Sequence, residues 1–290
     1  MPRLAQALLC GLLMAAGAAQ AQERKPFKAE GWAYGTRNSA AGPVEVWNPA
    51  KRTLMAGQDL IGGTIRATDP RTYCAMAQAG YGFTWTEMQH EGTDWEQVAR
   101  MWRTCPHSGA VPGVRVAYTD EREIQHALDM GAMVLVVPTV DSVEEAREVV
   151  QWTYYPPLGR RSAGGGQGPS DIWMDVPGGY RQTFNDNIVL VLMIETLEGV
   201  EHAGEIAKVP GVSAVFAASG DLGNFSGYKE GDPEYELLVT EVHDAAMAAG
   251  VKLCGPLRWR DRPDFTCVQG SSEDALITLG AKTELRPTSQ

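Results

Sequence analysis

The sequence predicts an α/β chain closed into a (β/α)8 barrel, the TIM-barrel architecture. Three observations carry that reading. Short apolar strands alternate with helical segments along most of the chain, as parallel strands with both faces covered require. No Gly-rich nucleotide loop follows an early strand, although a doubly wound sheet would usually show one. Polar residues gather just after several strands: Glu87, Gln89 and His90, then Arg115, Glu195 and Asp221. In a barrel the carboxyl ends of all strands meet at one rim, where sites are built.

The chain divides into three segments. Residues 1–21 read as an export signal: Arg3 is a short positive region, Leu4 to Ala16 is apolar, and Ala19-Gln20-Ala21 is an A-x-A cleavage site. The expected location is therefore across an inner membrane, in a periplasm. Residues 22–47 are an extended, polar arm, and 48–290 form the barrel. The 290 residues less 21 leave 269, enough for one large domain with ample core.

The barrel segment begins with a short helix from Pro49 to Ala56, closed by Gly57. Leu60 to Ile65 is the first strand. Asp69 then caps a helix from Pro70 to Gln78, with proline in its first turn. Tyr81 to Met88 is the next strand, and Thr93 opens a helix to Thr104. Gly113 to Ala117 is a strand, followed by a helix from Asp120 to Met130 that stops at Gly131. Met133 to Pro138 is a strand; Ser142 to Trp152 is an amphipathic helix. After a long interruption come Ile188 to Ile194 and Gly211 to Ala218, apolar runs long enough for strands buried on both faces. The first is followed by a helix from Leu197 to Lys208, the second by one from Pro233 to Ala249. Val251 to Cys254 and a short strand from Lys282 to Leu285 complete the count, with no final C-terminal helix expected.

Charge and cysteine content exclude some classes. A formal net charge of −11 argues against nucleic acid or an anionic membrane as partner. No stretch after residue 21 is long and apolar enough to span a bilayer. Beyond the signal stand Cys74, Cys105, Cys254 and Cys267, at spacings that match no zinc motif. Buried free thiols are the simpler reading for a barrel of this size, although Cys254 and Cys267 would close a short loop if oxidised.

Two strand ends carry the chemistry. Ile188 to Ile194 ends in Glu195, and Gly211 to Ala218 ends in Ser219-Gly220-Asp221. A charge at the end of a buried strand is costly unless paired. One such carboxylate would be read as a salt bridge. Two at equivalent places on adjacent strands favour a divalent cation, Mg²⁺, Mn²⁺ or Co²⁺, since no His or Cys cluster accompanies them. Arg115 lies inside the apolar strand Val114-Arg115-Val116. It points either to an anionic ligand or to a structural pair with Glu87. His90 is a candidate proton carrier, and Asp129, near a helix end, a candidate to orient it. The long loop from Tyr155 to Gly168 carries Arg160 and Arg161 before a glycine run, and reads as a lid over an anion.

In order, Glu87-Met-Gln-His90, Val114-Arg-Val116, Leu128-Asp-Met-Gly131, Val137-Pro138, Tyr155-Pro-Pro-Leu-Gly-Arg-Arg161, Met193-Ile-Glu195 and Ser219-Gly-Asp-Leu222 resemble the HpcH/HpaI aldolase family, relatives of citrate lyase β-subunits. The likeness runs from about Asn48 to the C-terminus. It implies a (β/α)8 barrel that cleaves or forms 4-hydroxy-2-oxo acids with a divalent metal and pyruvate. Glu195 and Asp221 would then be metal ligands, and Arg115 would bind pyruvate and steady its enolate. His90, with Asp129 behind it, would move the proton by way of water. Gln89, Ser219, Gly220 and Arg161 would contact substrate. The expected partners are a small 2-oxo acid and further copies of the chain.

The chain departs from the family pattern at named places. Glu87-Met88-Gln89-His90 stands where Asp-x-Glu-His is usual, Ser162 where a glycine follows the loop arginine, and Ala218-Ser219-Gly220-Asp221 for Gly-Pro-Ala-Asp. The final helix that relatives often exchange with a neighbour is not expected. Two other functions compete with the aldolase: a periplasmic binding protein on a retired barrel, and an oxo-acid decarboxylase or hydrolase using the same metal. A CoA-thioester lyase is disfavoured, since CoA is scarce outside the cytoplasm. A retired barrel has little reason to keep Glu195, Asp221, Arg115 and His90 together, which favours the enzyme.

Overall fold

The computed structural model describes residues 35–36, 38–164 and 172–284. The export signal, most of the arm and the glycine run of the long loop after Gly164 lie outside the described residues. Eight parallel strands close in sequence order, β1 to β8, with β8 pairing β1. They are β1 Leu60–Ile65, β2 Phe83–Glu87, β3 Val111–Arg115, β4 Val134–Val137, β5 Val189–Ile194, β6 Ala214–Ala217, β7 Lys252–Pro256 and β8 Phe265–Ser272. Among the described residues the helices are α1 Pro49–Met55, α2 Pro70–Ala77, α3 Trp95–Thr104, α4 Glu121–Met130, α5 Val143–Thr153, α6 Tyr180–Asn187, α7 Leu197–Ile206, α8 Ser219–Ser226, α9 Pro233–Ala249 and α10 Glu273–Glu284. None is long and apolar enough to cross a membrane.

Local chemistry starts the helices close to where the sequence suggests, with α3 capped by Asp94, one residue after the expected Thr93. Asp69, Asp94, Asp120, Ser142 and Thr196 each accept a hydrogen bond from a backbone N–H of the first turn, satisfying donors the helix leaves open. Gly131 closes α4 at φ 115°, a conformation that glycine adopts without penalty.

Strand register decides which side chains fill the barrel. Phe83, Trp85 and Glu87 alternate on β2, and Glu87 lies beside Arg115 on β3. Successive residues of a strand face opposite sides, so these large groups share the interior. Gly62 on β1 makes room for them: a Cβ there would stand 2.3 Å from the Phe83 ring.

Helix α1 plugs the rim where the strands begin. Asn48 donates through Nδ2 to the carbonyls of Met133 and Asn187. Lys51 Nζ donates to the Ile188 carbonyl at 2.9 Å and lies 3.1 Å from Ser213 Oγ. Met133, Ile188 and Ser213 immediately precede β4, β5 and β6, so α1 ties three strand starts together.

The end of the chain corrects the sequence reading. The eighth strand is Phe265–Ser272, and residues 282–284 belong to the terminal helix α10 that was not expected. The strand escapes periodicity because its second half is Gln269-Gly270-Ser271-Ser272, polar residues that gain their order from pairing with β7 and β1. No α-helix separates β7 from β8; a single 3-10 turn, Leu257–Trp259, does.

The cysteines also depart from the expectation. Cys74 is bonded to Cys105, joining α2 to the end of α3, and Cys254 to Cys267. Cys254 and Cys267 are register partners on β7 and β8. A spacing of 13 residues does not reveal that two strands place them side by side.

Candidate active site

Six of the sequence candidates meet in one cavity of about 310 Å³, lined by His90, Arg115, Glu195, Ser219, Gly220 and Asp221 together with Met193, Phe216, Pro256, Arg258 and Gln269. The contributing segments end or follow β2, β3, β5, β6, β7 and β8. All lie at the carboxyl rim, because parallel strands that close in order bring those ends together.

Glu195 is the deepest of the carboxylates, 1% exposed. Its Oε1 accepts from the Thr139 backbone N–H at 2.6 Å and from Thr139 Oγ1 at 2.8 Å. Its Oε2 is buried without a hydrogen-bond partner. Burial is the main influence raising the Glu195 carboxyl above its ordinary pKa; Asp221 adds to this, while the Thr139 hydrogen bonds and Arg115 oppose it. Thr139 lies at φ 47°, a left-handed backbone that β-branched residues rarely adopt. That conformation turns both of its donors towards Glu195.

Asp221 faces the same cavity from the first turn of α8. A buried carboxylate oxygen without a donor, beside a second carboxylate, suits a divalent cation completed by water and substrate oxygens. Among the described residues no group of three or more His, Cys, Asp or Glu could hold a metal. The protein share of such a site would therefore be the two carboxylates Glu195 and Asp221.

Arg115 is paired with Glu87 and also reaches the cavity. Glu87 Oε2 accepts from Arg115 Nε at 2.8 Å and pairs with Nη2 at 2.6 Å. The guanidinium also lies over the Trp85 ring at 5.8 Å, while Arg115 still lines the cavity. Glu87 Oε1 accepts from the backbone N–H groups of Gln89 and His90, at 2.8 and 3.2 Å. One carboxylate thus fixes both the arginine and the turn carrying His90. Gln89 does not line the cavity, and its Oε1 is buried without a partner.

Asp129 and Arg161 lie elsewhere. Arg161 Nη2 donates to Asp129 Oδ1 at 2.9 Å, and its guanidinium packs over Tyr155 and Phe184 at 4.6 and 4.5 Å. Asp129 is at the end of α4 that leads into β4, and the Arg161 loop joins α5 to α6, just ahead of β5. Both therefore belong to the rim opposite the cavity. Within one chain Asp129 does not orient His90, and this arginine is a buried structural group rather than part of a lid.

Sequence reasoning missed Thr139, Arg258 and Gln269. Thr139 has the readable signal, since it follows Val137-Pro138 at a strand end. Gln269 was hidden with its strand, and Arg258 sits in the unusually short β7–β8 connection.

The fold agrees with the comparisons to known proteins. Residues 94–270 match the family model for HpcH/HpaI aldolase/citrate lyase. The chain belongs to that family. A hydroxypyruvate/pyruvate aldolase of Deinococcus radiodurans is 36% identical over 177 residues, 60% of this chain and 63% of that protein. A 4-hydroxy-2-oxo-heptane-1,7-dioate aldolase of Shigella sonnei is 31% identical over 213 residues, covering 70% of this chain and 80% of its own. Among solved structures, an HpcH/HpaI family protein from Burkholderia cenocepacia superposes with a TM-score of 0.74 at 25% identity, covering 82% of this chain and 98% of that one.

Proposed function

We propose that this HpcH/HpaI family member is a carbon–carbon lyase of the class II aldolase type, cleaving or forming a 4-hydroxy-2-oxo acid through the enolate of pyruvate. The observation that carries the reading is the junction of Glu195, with its unpartnered Oε2, Asp221, Arg115 and His90 in one cavity.

Glu195 and Asp221 would hold the divalent cation, which when bound supplies Lewis-acid polarisation of the 2-oxo group. Mg²⁺, Mn²⁺ and Co²⁺ all suit two hard oxygen ligands. Arg115, steadied by Glu87, binds the pyruvate carboxylate and opposes charge as it develops on the enolate oxygen. In the cleavage direction the 4-hydroxyl loses its proton and the C3–C4 bond breaks. The aldehyde leaves, and C3 then takes up a proton to become the methyl group of pyruvate. His90, at the mouth of the cavity, is the group placed to accept and return a proton, by way of water. Ser219 and Gly220 border the substrate from the start of α8.

Exchange of pyruvate methyl protons with deuterated water tests this reading without the true aldehyde. Exchange should require a divalent cation and fall with Glu195→Gln, Asp221→Asn or His90→Ala. Tight metal binding without any exchange would favour a binding protein on the same barrel.

Export to the periplasm is part of the proposal. It is supported by the A-x-A site and by two disulfides among the described residues. Self-association is proposed as well, supported by Ile277 and Leu279 of α10, 67% and 62% exposed. A monomeric mass by light scattering would overturn it.

A further inference from the structure

The two carboxylates proposed to hold the metal are secured in different ways. Glu195 directly follows β5, and Thr139 grips one of its own oxygens. Asp221 stands in the first turn of α8, an eight-residue helix whose N-cap residue, Ala218, makes no side-chain capping bond. Ser219 and Gly220 connect the two. Glycine adds backbone freedom to this turn. A Cβ at Gly220 would meet nothing within 4 Å, so no neighbour walls the turn on that side.

The hold on this turn comes from later in the chain and converges on Ser219. Its carbonyl accepts from Tyr235 Oη at 3.0 Å, and its Oγ accepts from Arg258 Nη2 at 2.8 Å. Tyr235 lies in the first turn of α9 and is fully buried. Its ring meets that of Trp259 edge-on, with centroids 6.4 Å apart. Arg258 and Trp259 share the Glu230 carboxylate: Arg258 Nε donates to Oε2 at 2.8 Å, and Trp259 Nε1 donates to Oε1. Both donors to Ser219 are thus fixed by groups outside α8. The Tyr235 contact is the stronger, because a buried hydrogen bond strands a polar group when lost. The Arg258 side chain is 56% exposed, and water weakens its hold. Arg258 also lines the cavity, whereas Tyr235 does not.

We infer that Tyr235 and Arg258 are positioning residues for Asp221. By holding the carbonyl and the hydroxyl of Ser219 they fix the first turn of α8, and with it the direction of the Asp221 carboxylate. The inference rests on the metal reading of Glu195 and Asp221. The order these contacts impose is one that a proline would build into the backbone. Ser219 is the first helical residue, where the N–H has no partner within the helix. Ala218 lies at φ −90°, ψ 104°, the extended conformation favoured before proline. A serine here leaves that order to its hydrogen bonds.

Calorimetric titration of the purified mature protein with Mn²⁺, in the absence of substrate, is the test. Tyr235→Phe removes only the hydroxyl and should raise the Kd about tenfold, the low end for groups that orient a metal ligand. Ser219→Ala removes the acceptor for Arg258 without altering the charge near the cation, and should raise the Kd by about two- to threefold. In the Tyr235→Phe background, Ser219→Pro or Gly220→Ala stiffens the turn from within and should recover about two- to fivefold of the loss. A tyrosine that merely supported the fold would not be replaced by a backbone lock in another helix. Pyruvate proton exchange by Tyr235→Phe should need more Mn²⁺, while the rate at saturating Mn²⁺ stays close to wild type. A thermal melt of each variant checks the fold, and Gly220→Ala serves where Ser219→Pro does not fold. A wild-type Kd in Tyr235→Phe, or a loss that neither lock restores in folded protein, overturns the positioning role and leaves the aldolase reading standing. Wild type that binds no divalent cation overturns the metal reading, and the positioning role with it.

Discussion

Thr139 donates twice to a single oxygen of Glu195, from its backbone N–H and from its hydroxyl, and leaves the other oxygen of that carboxylate without a partner. The pair therefore aims Oε2. Groups that orient a metal ligand typically alter affinity by about 10–100-fold when removed. Thr139→Val should weaken Mn²⁺ binding within that range, and Thr139→Ser should restore most of it. Calorimetric titration checks this directly. Equal affinity in all three proteins would show that the backbone donor alone suffices.

Arg115 and Glu87 form a buried pair, 8% and 2% exposed. Removing one partner strands the other charge, a loss of about 3–5 kcal/mol. Glu87→Ala should be destabilised by that order in urea unfolding. Arg115→Lys keeps the charge but cannot reproduce the two-pronged contact, so it should fold while the KM for pyruvate rises. Wild-type KM in Arg115→Lys would remove the arginine from the binding role.

Thiol titration under denaturing, non-reducing conditions should find Cys74, Cys105, Cys254 and Cys267 blocked. Reduction should lower stability by about 2–4 kcal/mol for each bond, the usual worth of closing such loops. Unfolding curves with and without a phosphine reductant measure this, and coincident curves would contradict it.

Lys51 gives a pH dependence of stability. Burial lowers its pKa from 10.5 to about 8, with Asp186 opposing. Between about 8 and 10.5 the unfolded chain holds a proton that the folded protein has released, so this contribution makes stability rise with pH across that window. Below it both states are charged, and the burial cost stands in full. The stability of wild type minus that of Lys51→Met should grow from pH 7 to 10, by about 1–3 kcal/mol. A flat difference would mean that Lys51 keeps its proton.

Protein recovered from a periplasmic extract should begin at Gln22, after the A-x-A site. N-terminal sequencing decides it, and a chain that still starts at Met1 would refute cleavage.

The sequence by itself determined the alternation of strands and helices and the strand-end positions of Glu195 and Asp221, because burial on both faces leaves long apolar runs that a period can read. Tertiary structure decided what depends on pairing across distance. Polar β8 is a strand because β7 and β1 flank it, and Cys254 meets Cys267 through that register. Asp129 and Arg161 read as site residues in one dimension, yet α4 carries Asp129 back to the rim where strands begin. Arg115 turned out to be both paired and facing the cavity, a double role that only the positions of Glu87 and the open rim reveal. Thr139 stands at a readable strand end, but its part comes from a left-handed backbone that turns two donors onto Glu195.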